Sequence, residues 1–181
     1  IVQAGGEDLD VPQYAAPCFV DWNNDGLQDL IVGEGGQTEA GKVRVYLNGG
    51  TAQAPAFTTF SYVQDGAGDL TVLQFNCLGA FPRVVQWDGD GRKDLLVSRT
   101  YGQVELFLNV GTDEAPAFNG GTFLQVGPTG FKTDIDAGDR ACVDVADWNN
   151  DGRKDLVIGG LDGGVRLYLN SGTDTAPDFQ A

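Results

Sequence analysis

Three short acidic segments of this chain have the residue types and spacing of an oxygen-rich cation site. Residues 21–29 read DWNNDGLQD, and residues 147–155 read DWNNDGRKD. The shared spacing D-x-N-x-D-G-x-x-D places oxygen donors at positions 1, 3, 5, 7 and 9, and the glycine at position 6 permits a sharp turn. Oxygen donors in this number suit calcium, because its coordination shell is large and flexible, whereas magnesium retains more water.

The predicted calcium ligands occupy the same five positions in both of these loops. Position 7 contributes its backbone carbonyl oxygen, and the other positions contribute side-chain oxygens. The ligands are Asp21, Asn23, Asp25, Leu27 and Asp29 in the first loop, and Asp147, Asn149, Asp151, Arg153 and Asp155 in the third.

The middle loop, QWDGDGRKD at residues 86–94, moves one carboxylate. Gln86 replaces the aspartate at position 1, and position 3 gains a carboxylate in Asp88, so this loop also offers three carboxylates. Its predicted ligands are Gln86, Asp88, Asp90, Arg92 and Asp94. The alternative is that all three segments are plain Asp/Asn/Gly turns whose side chains cap their own backbone. Three such segments in register, each with glycine at position 6, favour about three calcium ions per chain.

Charge and composition favour cations as partners. The 181 residues include 26 acidic and 11 basic side chains, a formal charge of −15, which argues against nucleic acid or an anionic membrane surface as the partner. Three calcium ions would reduce this charge to −9. Histidine is absent, which removes the commonest general base and zinc ligand. No apolar run is long enough to predict a membrane span.

The three cysteines form no repeated framework. Cys18, Cys77 and Cys142 stand at positions that are not equivalent to one another. Buried free thiols and one disulfide with a third, free thiol both remain open.

The acidic loops belong to a longer repeat. VRVYLNGGTAQAPAF from Val43, VELFLNVGTDEAPAF from Val104 and VRLYLNSGTDTAPDF from Val165 are spaced 61 residues apart. Short β-branched and aromatic runs between Gly, Asn, Asp and Pro predict an all-β unit of about four strands. In the second repeat the predicted strands are residues 82–86, 94–98, 103–109 and 117–126. Turns are predicted at DGDG and near LNVGT, where Asn and Gly tolerate positive φ.

Apolar residues on both faces of one strand in each repeat indicate stacked sheets. DLIVG, DLLVS and DLVIG show no alternation, as expected when sheets pack face to face around an axis, the arrangement of a β-propeller. We therefore predict one repeat domain over residues 1–181, with blade 1 at about 16–64, blade 2 at about 81–126 and blade 3 at about 141–181. Residues 1–4 are predicted to complete blade 3, because Gln3 aligns with Gln64 and Gln125 while the third repeat stops at APDFQA.

Three blades are fewer than the usual four to eight of a propeller. An open wedge would leave two apolar blade faces uncovered. The prediction is a homodimer that forms a six-bladed ring, in which the first strand of each subunit completes the third blade of the other. A trimer is the second choice.

The loops and the sequence that follows them resemble a known family. An acidic loop followed by DL-V-G, with a period near 60 residues, resembles the FG-GAP/VCBS repeat found in integrin α-subunit propellers, a fungal propeller lectin and many secreted bacterial proteins. The resemblance covers all three repeats. It implies a β-propeller, calcium at the loop ligands named above, and an extracellular, secreted or periplasmic location.

The predicted function is a non-catalytic binding module for extracellular carbohydrate or protein recognition and adhesion. Trp22, Trp87 and Trp148, at position 2 of each loop, are the candidate ligand contacts, and the alternative is that these indoles pack between blades. A self-assembling scaffold fragment without a small ligand is an alternative function, and a polysaccharide lyase using Tyr and Arg is a less favoured one. Arg44, Glu105 and Arg166 share one repeat position and are predicted to pair across blades.

Overall fold

The computed structural model describes residues 1–36, 40–72 and 79–180. Cys77 lies outside these described residues. Within them the chain forms strands and no helix, so no helix there could cross a membrane. The all-β prediction is confirmed.

The strands are short, and all but a few fall into three sheets. In chain order they are β1 (Gln3–Ala4), β2 (Glu7–Asp8), β3 (Ala16–Val20), β4 (Asp29–Gly33), β5 (Gly41–Tyr46), β6 (Ser61–Tyr62), β7 (Thr71–Val72), β8 (Phe81–Val85), β9 (Asp94–Ser98), β10 (Val104–Phe107), β11 (Thr122–Phe123), β12 (Gln125–Val126), β13 (Thr133–Asp134), β14 (Cys142–Ala146), β15 (Asp155–Gly159), β16 (Val165–Asn170) and β17 (Phe179–Gln180).

Each sheet is an antiparallel meander built on the same plan. The first sheet has the order β3-β4-β5-β6, with β7 also paired to β5, and the second has the order β8-β9-β10-β11. The third sheet has the order β14-β15-β16-β17 and continues through β12 and β13. An acidic loop connects the first two strands of every sheet, so the repeated sequence produces a repeated supersecondary structure.

The sheets pack face to face through apolar side chains. β4 and β9 are buried at all five positions, which confirms that these strands are covered on both faces. The first interface, between the first and second sheets, contains Ile31, Val43, Val45, Leu70, Val72, Leu95, Val97 and Phe107. The second interface, between the second and third sheets, contains Leu96, Val104, Leu106, Ile135, Ala137, Leu156, Ile158 and Tyr168. Each fully buried Val, Leu, Ile or Phe contributes about 1.5–3 kcal/mol.

A smaller group of apolar residues, the N-terminal cluster, covers the remaining face of the first sheet. Leu30, Val32, Tyr46 and Phe57 of the repeat pack there with Val11, and Ala4 and Leu9 pack against them. The N-terminal residues therefore lie on the first sheet.

The prediction of a single fourth strand over residues 117–126 is wrong. Phe118 forms an isolated bridge with Asn109, and β11 pairs with β10 of the second sheet. β12 instead pairs with β17 of the third sheet. Gly120, with φ of +77°, interrupts this segment, and the chain crosses from one sheet to the next within it.

Residues 1–4 lie beside the first sheet of their own chain, and the prediction that they complete the third sheet of another subunit stays a prediction. β1 pairs with β2, and Ala4 forms a parallel bridge with Phe57 beside the first sheet. The equivalent contact joins Val126 to Phe179, also in parallel. Residues 1–4 therefore occupy, beside the first sheet, the place that β12 occupies beside the third sheet.

Candidate metal centre

The first acidic loop is held by hydrogen bonds from its own backbone. The Asp25 N–H donates to Asp21 Oδ1 at 3.0 Å and to Asn23 Oδ1 at 3.3 Å, so the oxygens of loop positions 1 and 3 converge on one donor. The Gly26 N–H donates to Asp21 Oδ2 at 2.9 Å, and the Leu27 N–H donates to Asp25 Oδ1 at 2.9 Å. Each of these oxygens keeps a further lone pair for another donor or a cation.

The third loop repeats this arrangement atom for atom. The Asp151 N–H donates to Asp147 Oδ1 at 2.9 Å and to Asn149 Oδ1 at 3.0 Å. The Gly152 N–H donates to Asp147 Oδ2 at 2.9 Å, and the Arg153 N–H donates to Asp151 Oδ1 at 3.0 Å. Two loops that lie 126 residues apart in the sequence thus adopt one geometry.

The middle loop keeps part of the same pattern. The Asp90 N–H donates to Asp88 Oδ1 at 3.1 Å, and the Arg92 N–H donates to Asp90 Oδ1 at 2.8 Å. Position 1 is the amide side chain of Gln86. Asp88 therefore accepts the position 5 N–H from position 3, as Asn23 and Asn149 do in the outer loops.

The loop backbones require residues that tolerate positive φ at two positions. Position 6 has positive φ in every loop, as the sequence predicts, and position 4 does too, which was predicted for the middle loop at DGDG and missed in the two outer loops. The φ values are +60° and +88° at Asn24 and Gly26, +78° and +93° at Gly89 and Gly91, and +58° and +84° at Asn150 and Gly152. Asn and Gly are the residues that adopt this conformation most readily, so the choice at position 4 was a readable signal.

The aspartate at position 9 is buried in all three loops and is tied to the backbone at both oxygens. One oxygen accepts the N–H of the tryptophan at position 2, and the other accepts the N–H of an asparagine at the end of the third strand. The sets are Asp29 with Trp22 and Asn48, Asp94 with Trp87 and Asn109, and Asp155 with Trp148 and Asn170. Burial raises the pKa of the Asp94 carboxyl, and the two N–H donors oppose that shift.

The same asparagines organise the turn that follows the third strand. Asn48 Oδ1 accepts the N–H groups of Gly50 and Ala56, both at 3.0 Å, and Asn109 and Asn170 make the equivalent pairs of bonds. The prediction that this turn uses positive φ is wrong, because none of the Asn or Gly residues at 48–50, 109–111 and 170–172 has it. Glycine is needed at position 50 for space, since a Cβ there would lie 2.3 Å from the Ala54 carbonyl oxygen.

The loop donors fit calcium in their chemistry. Each outer loop brings three carboxylates, one amide oxygen and one carbonyl, and oxygen is the ligand that calcium prefers. In the part of the chain that the structure describes, no group of three or more acidic or cysteine side chains is arranged to hold a metal ion. The loop carboxylates instead accept hydrogen bonds from backbone N–H groups, and position 9 has a structural role besides its predicted one.

A comparison with known families agrees with the repeat. The model of the FG-GAP-like repeat family matches residues 86–158. The matched stretch runs from the middle loop through the third, and it supports the FG-GAP family broadly. The all-β sheets are consistent with a β-propeller-like fold, and an FG-GAP repeat suggests a binding module of that type. No curated protein sequence and no solved structure matches the chain.

The three candidate ligand-binding tryptophans have different surroundings. Trp22 and Trp87 are buried in the first and second interfaces, where their indoles pack between sheets. Trp148 is 60% exposed, because no sheet of the described residues packs on that face of the third sheet. Of the three, only Trp148 presents most of its ring to solvent.

The ion pairs predicted across blades form within single sheets. Arg44 pairs with Glu34, Arg99 with Glu105, and Arg166 with Asp162. The prediction of pairing across blades is therefore wrong, since each of these charges finds a nearer partner in its own repeat. The hydrogen bond from Arg166 holds the pKa of the Asp162 carboxyl at about 2.

A groove that the sequence did not predict lies between the second and third sheets. It encloses about 450 Å³, and Trp87, Leu106 and Phe123 contribute to its apolar wall. Asp88 of the middle loop and Asp174 of the third repeat also line it. The groove therefore combines an aromatic and aliphatic surface with carboxylates next to a candidate cation loop.

Proposed function

We propose that this chain is a calcium-stabilised module of the β-propeller type that binds an extracellular glycan or protein and catalyses no reaction. The observation that supports the proposal is the geometry of the first and third loops, where the same side chains accept the same backbone N–H groups. The FG-GAP-like match over residues 86–158 points in the same direction.

Calcium would bind at the five predicted positions of each loop. In the first loop these are Asp21, Asn23, Asp25, the Leu27 carbonyl and Asp29, and the third and middle loops use the equivalent residues. The bound ion would neutralise carboxylates that otherwise repel one another across a tight turn. The backbone N–H groups hold these side chains close together before the ion arrives. We propose a secreted or periplasmic location, where the calcium level is high enough to fill even weak sites.

Thermal unfolding with and without calcium tests this proposal. Chelation with EDTA should lower Tm and added calcium should restore it, because a ligand that binds only the folded state stabilises that state. Magnesium at the same concentration is the control and should restore less. An unchanged Tm in EDTA would overturn the calcium proposal.

The groove beside the middle loop is the proposed ligand site. Its apolar wall can cover one face of a sugar ring or a peptide side chain, and its carboxylates can accept hydrogen bonds from hydroxyl groups. Screening on a glycan array should give hits that Phe123→Ala removes. Phe131→Ala, which truncates a phenyl ring that is exposed outside the groove, should leave them unchanged. Hits that survive Phe123→Ala would place the ligand elsewhere.

A self-assembling scaffold without a small ligand is the second candidate function. The observation that favours it is the exposed apolar face of the third sheet, which includes Trp148 and Val165. A homodimer is the first expectation for the assembly and a trimer the second. Self-association without any binding to glycans would favour the scaffold over the recognition module.

A further inference from the structure

Both interfaces inside the chain are built from the same three parts. The first part is the back face of the earlier sheet, Ile31, Val43 and Val45 in the first sheet and Leu96, Val104 and Leu106 in the second. The second is the front face of the later sheet, Leu95, Val97 and Phe107 or Leu156, Ile158 and Tyr168. The third is a linker pair between them, Leu70 with Val72 or Ile135 with Ala137.

The N-terminal end of the stack carries two of these three parts. Leu30, Val32 and Tyr46 form the front face of the first sheet, and Leu9 and Val11 pack on it as a linker pair. The Leu9 N–H donates to the Val2 carbonyl at 2.8 Å, and the Leu70 N–H donates to the Val63 carbonyl at 2.7 Å. The N-terminal cluster is therefore an interface that lacks only a back face.

The other end of the stack carries the missing part. The back face of the third sheet contains Val157, Val165 and Leu167, and the last two are 75% and 39% exposed, whereas their equivalents in the first and second sheets are buried. A Cβ added at Gly159 would meet nothing within 4 Å, whereas at the equivalent Gly33 it would lie 1.9 Å from the Ala80 carbonyl oxygen. The space that the next sheet fills inside the chain is open here.

Within residues 1–36, 40–72 and 79–180, no strand pairs with the outer edge of β16 at Val165 and Arg166. In the first sheet Tyr62 pairs with Arg44, and the Val63 N–H donates to the Val43 carbonyl at 2.9 Å. The second sheet repeats this with Phe123 opposite Glu105 and the Leu124 N–H on the Val104 carbonyl at 2.9 Å. The 61-residue step places Ile1 opposite Arg166 and Val2 opposite Val165.

We propose that the N-terminal cluster and the back face of the third sheet form an interface between two copies of this chain. The back face of the third sheet in one copy packs on the N-terminal cluster of the next copy. Ile1 and Val2 of that next copy pair with Arg166 and Val165 along β16. The proposal rests on the proposed function only in treating the sheets as propeller blades. A back-to-back contact of two third sheets would leave both N-terminal clusters uncovered. The head-to-tail contact therefore buries more of the exposed apolar surface.

The solution mass tests whether this surface mediates assembly. Light scattering should give about twice the 19.2 kDa chain mass for the wild type, since two head-to-tail contacts can close a ring. Val165→Lys with Leu167→Glu should weaken association by at least about tenfold, because both side chains lie in the middle of the proposed contact. Val110→Glu changes another exposed apolar side chain, in the turn after β10 of the second sheet, and should leave the mass unchanged. A wild type that stays at 19.2 kDa at micromolar concentration, or an assembly that the double variant does not weaken, would overturn the proposal.

Disulfide mapping tests the register. Ile1→Cys and Arg166→Cys are made in separate proteins, mixed and oxidised, so that a bond between the two positions can form only between copies. Mass spectrometry of the linked peptides should identify the 1–166 pair. A 166–166 bond would indicate back-to-back packing, and an assembled wild type without the 1–166 bond would contradict the register.

A third measurement separates this inference from the calcium proposal. The double variant should retain the calcium-dependent rise in Tm, because the calcium loops lie outside the changed surface. A monomeric wild type with a normal calcium response would overturn the assembly and leave the calcium proposal standing.

Discussion

Aspartates of one loop have different roles that the spacing alone does not distinguish. Asp21 and Asp25 are capped by N–H groups of the loop itself, whereas Asp29 is fully buried and joins the loop to the end of the third strand. Removing a buried acceptor leaves two N–H groups without a partner, and each such group costs about 1–3 kcal/mol. Position 9 is therefore expected to stabilise the fold whether or not calcium is present.

Paired substitutions test this division of roles. Asp29→Asn should lower the free energy of unfolding by about 2–4 kcal/mol in both EDTA and calcium, because its amide places a donor against a backbone N–H. Asp25→Asn should change that free energy by only about 0.5 kcal/mol in EDTA, and it should reduce the stabilisation by calcium. Urea denaturation in both buffers measures these effects. Equal effects of the two substitutions in EDTA would contradict the structural role of position 9.

At the scale of the elements, close backbone contacts between sheets set the stacking distance. The second strand of the first sheet ends at Gly33. This glycine lies directly against the backbone of Ala80, which precedes β8, and against the ring of Pro82 in β8. The ends of β9 and β15 differ at the equivalent place. Ser98 accepts the Val143 N–H with its hydroxyl oxygen at 3.2 Å, and Gly159 faces open space. The same strand position therefore has three environments in one chain.

A glycine substitution at matched positions tests the contact. Gly33→Ala should destabilise the chain by about 1–3 kcal/mol, since the added methyl group forces the first two sheets apart. Gly159→Ala is the matched control and should have little effect on unfolding when measured at protein concentrations too low for copies to associate. A loss of stability at Gly159 as large as that at Gly33 would argue against the contact as its cause.

At the scale of the whole molecule, the formal charge of −15 opposes a compact state. Repulsion between carboxylates at separations beyond a few ångströms is screened by salt. Bound calcium would reduce the same repulsion locally. Salt and calcium should therefore relieve partly the same destabilisation by carboxylate repulsion.

The calcium-free protein should therefore gain stability from added salt. Raising NaCl from about 20 mM to about 0.5 M should increase its Tm by about 2–4 °C, the shift that roughly 1 kcal/mol produces in a chain of this size. The calcium-loaded protein is the control and should gain less, because its net charge is smaller. An equal rise in both forms would indicate a general salt effect.

Local features of this protein follow from its sequence, because the bonds that make them lie within a few residues of each other. The acidic loops with glycine at position 6 were predicted from spacing. The all-β sheets and the doubly covered strands β4 and β9 were predicted from residue type, whereas β15, predicted to be covered in the same way, is only half-buried at Val157 and Gly159. The hydrogen bond from the Asn48 N–H to Asp29 was not predicted, because these two residues meet only after the sheet has formed. The division of residues 117–126 between two sheets was missed for the same reason.

The burial of a side chain depends on the tertiary structure. Trp22 and Trp148 stand in the same hexapeptide, DWNNDG, yet the first is 8% exposed and the second 60%. Identical neighbours in the chain give these residues the same loop and the same hydrogen bond to position 9. Whether a further sheet packs on each indole depends on the position of its repeat in the stack, and that is a property of the assembled molecule.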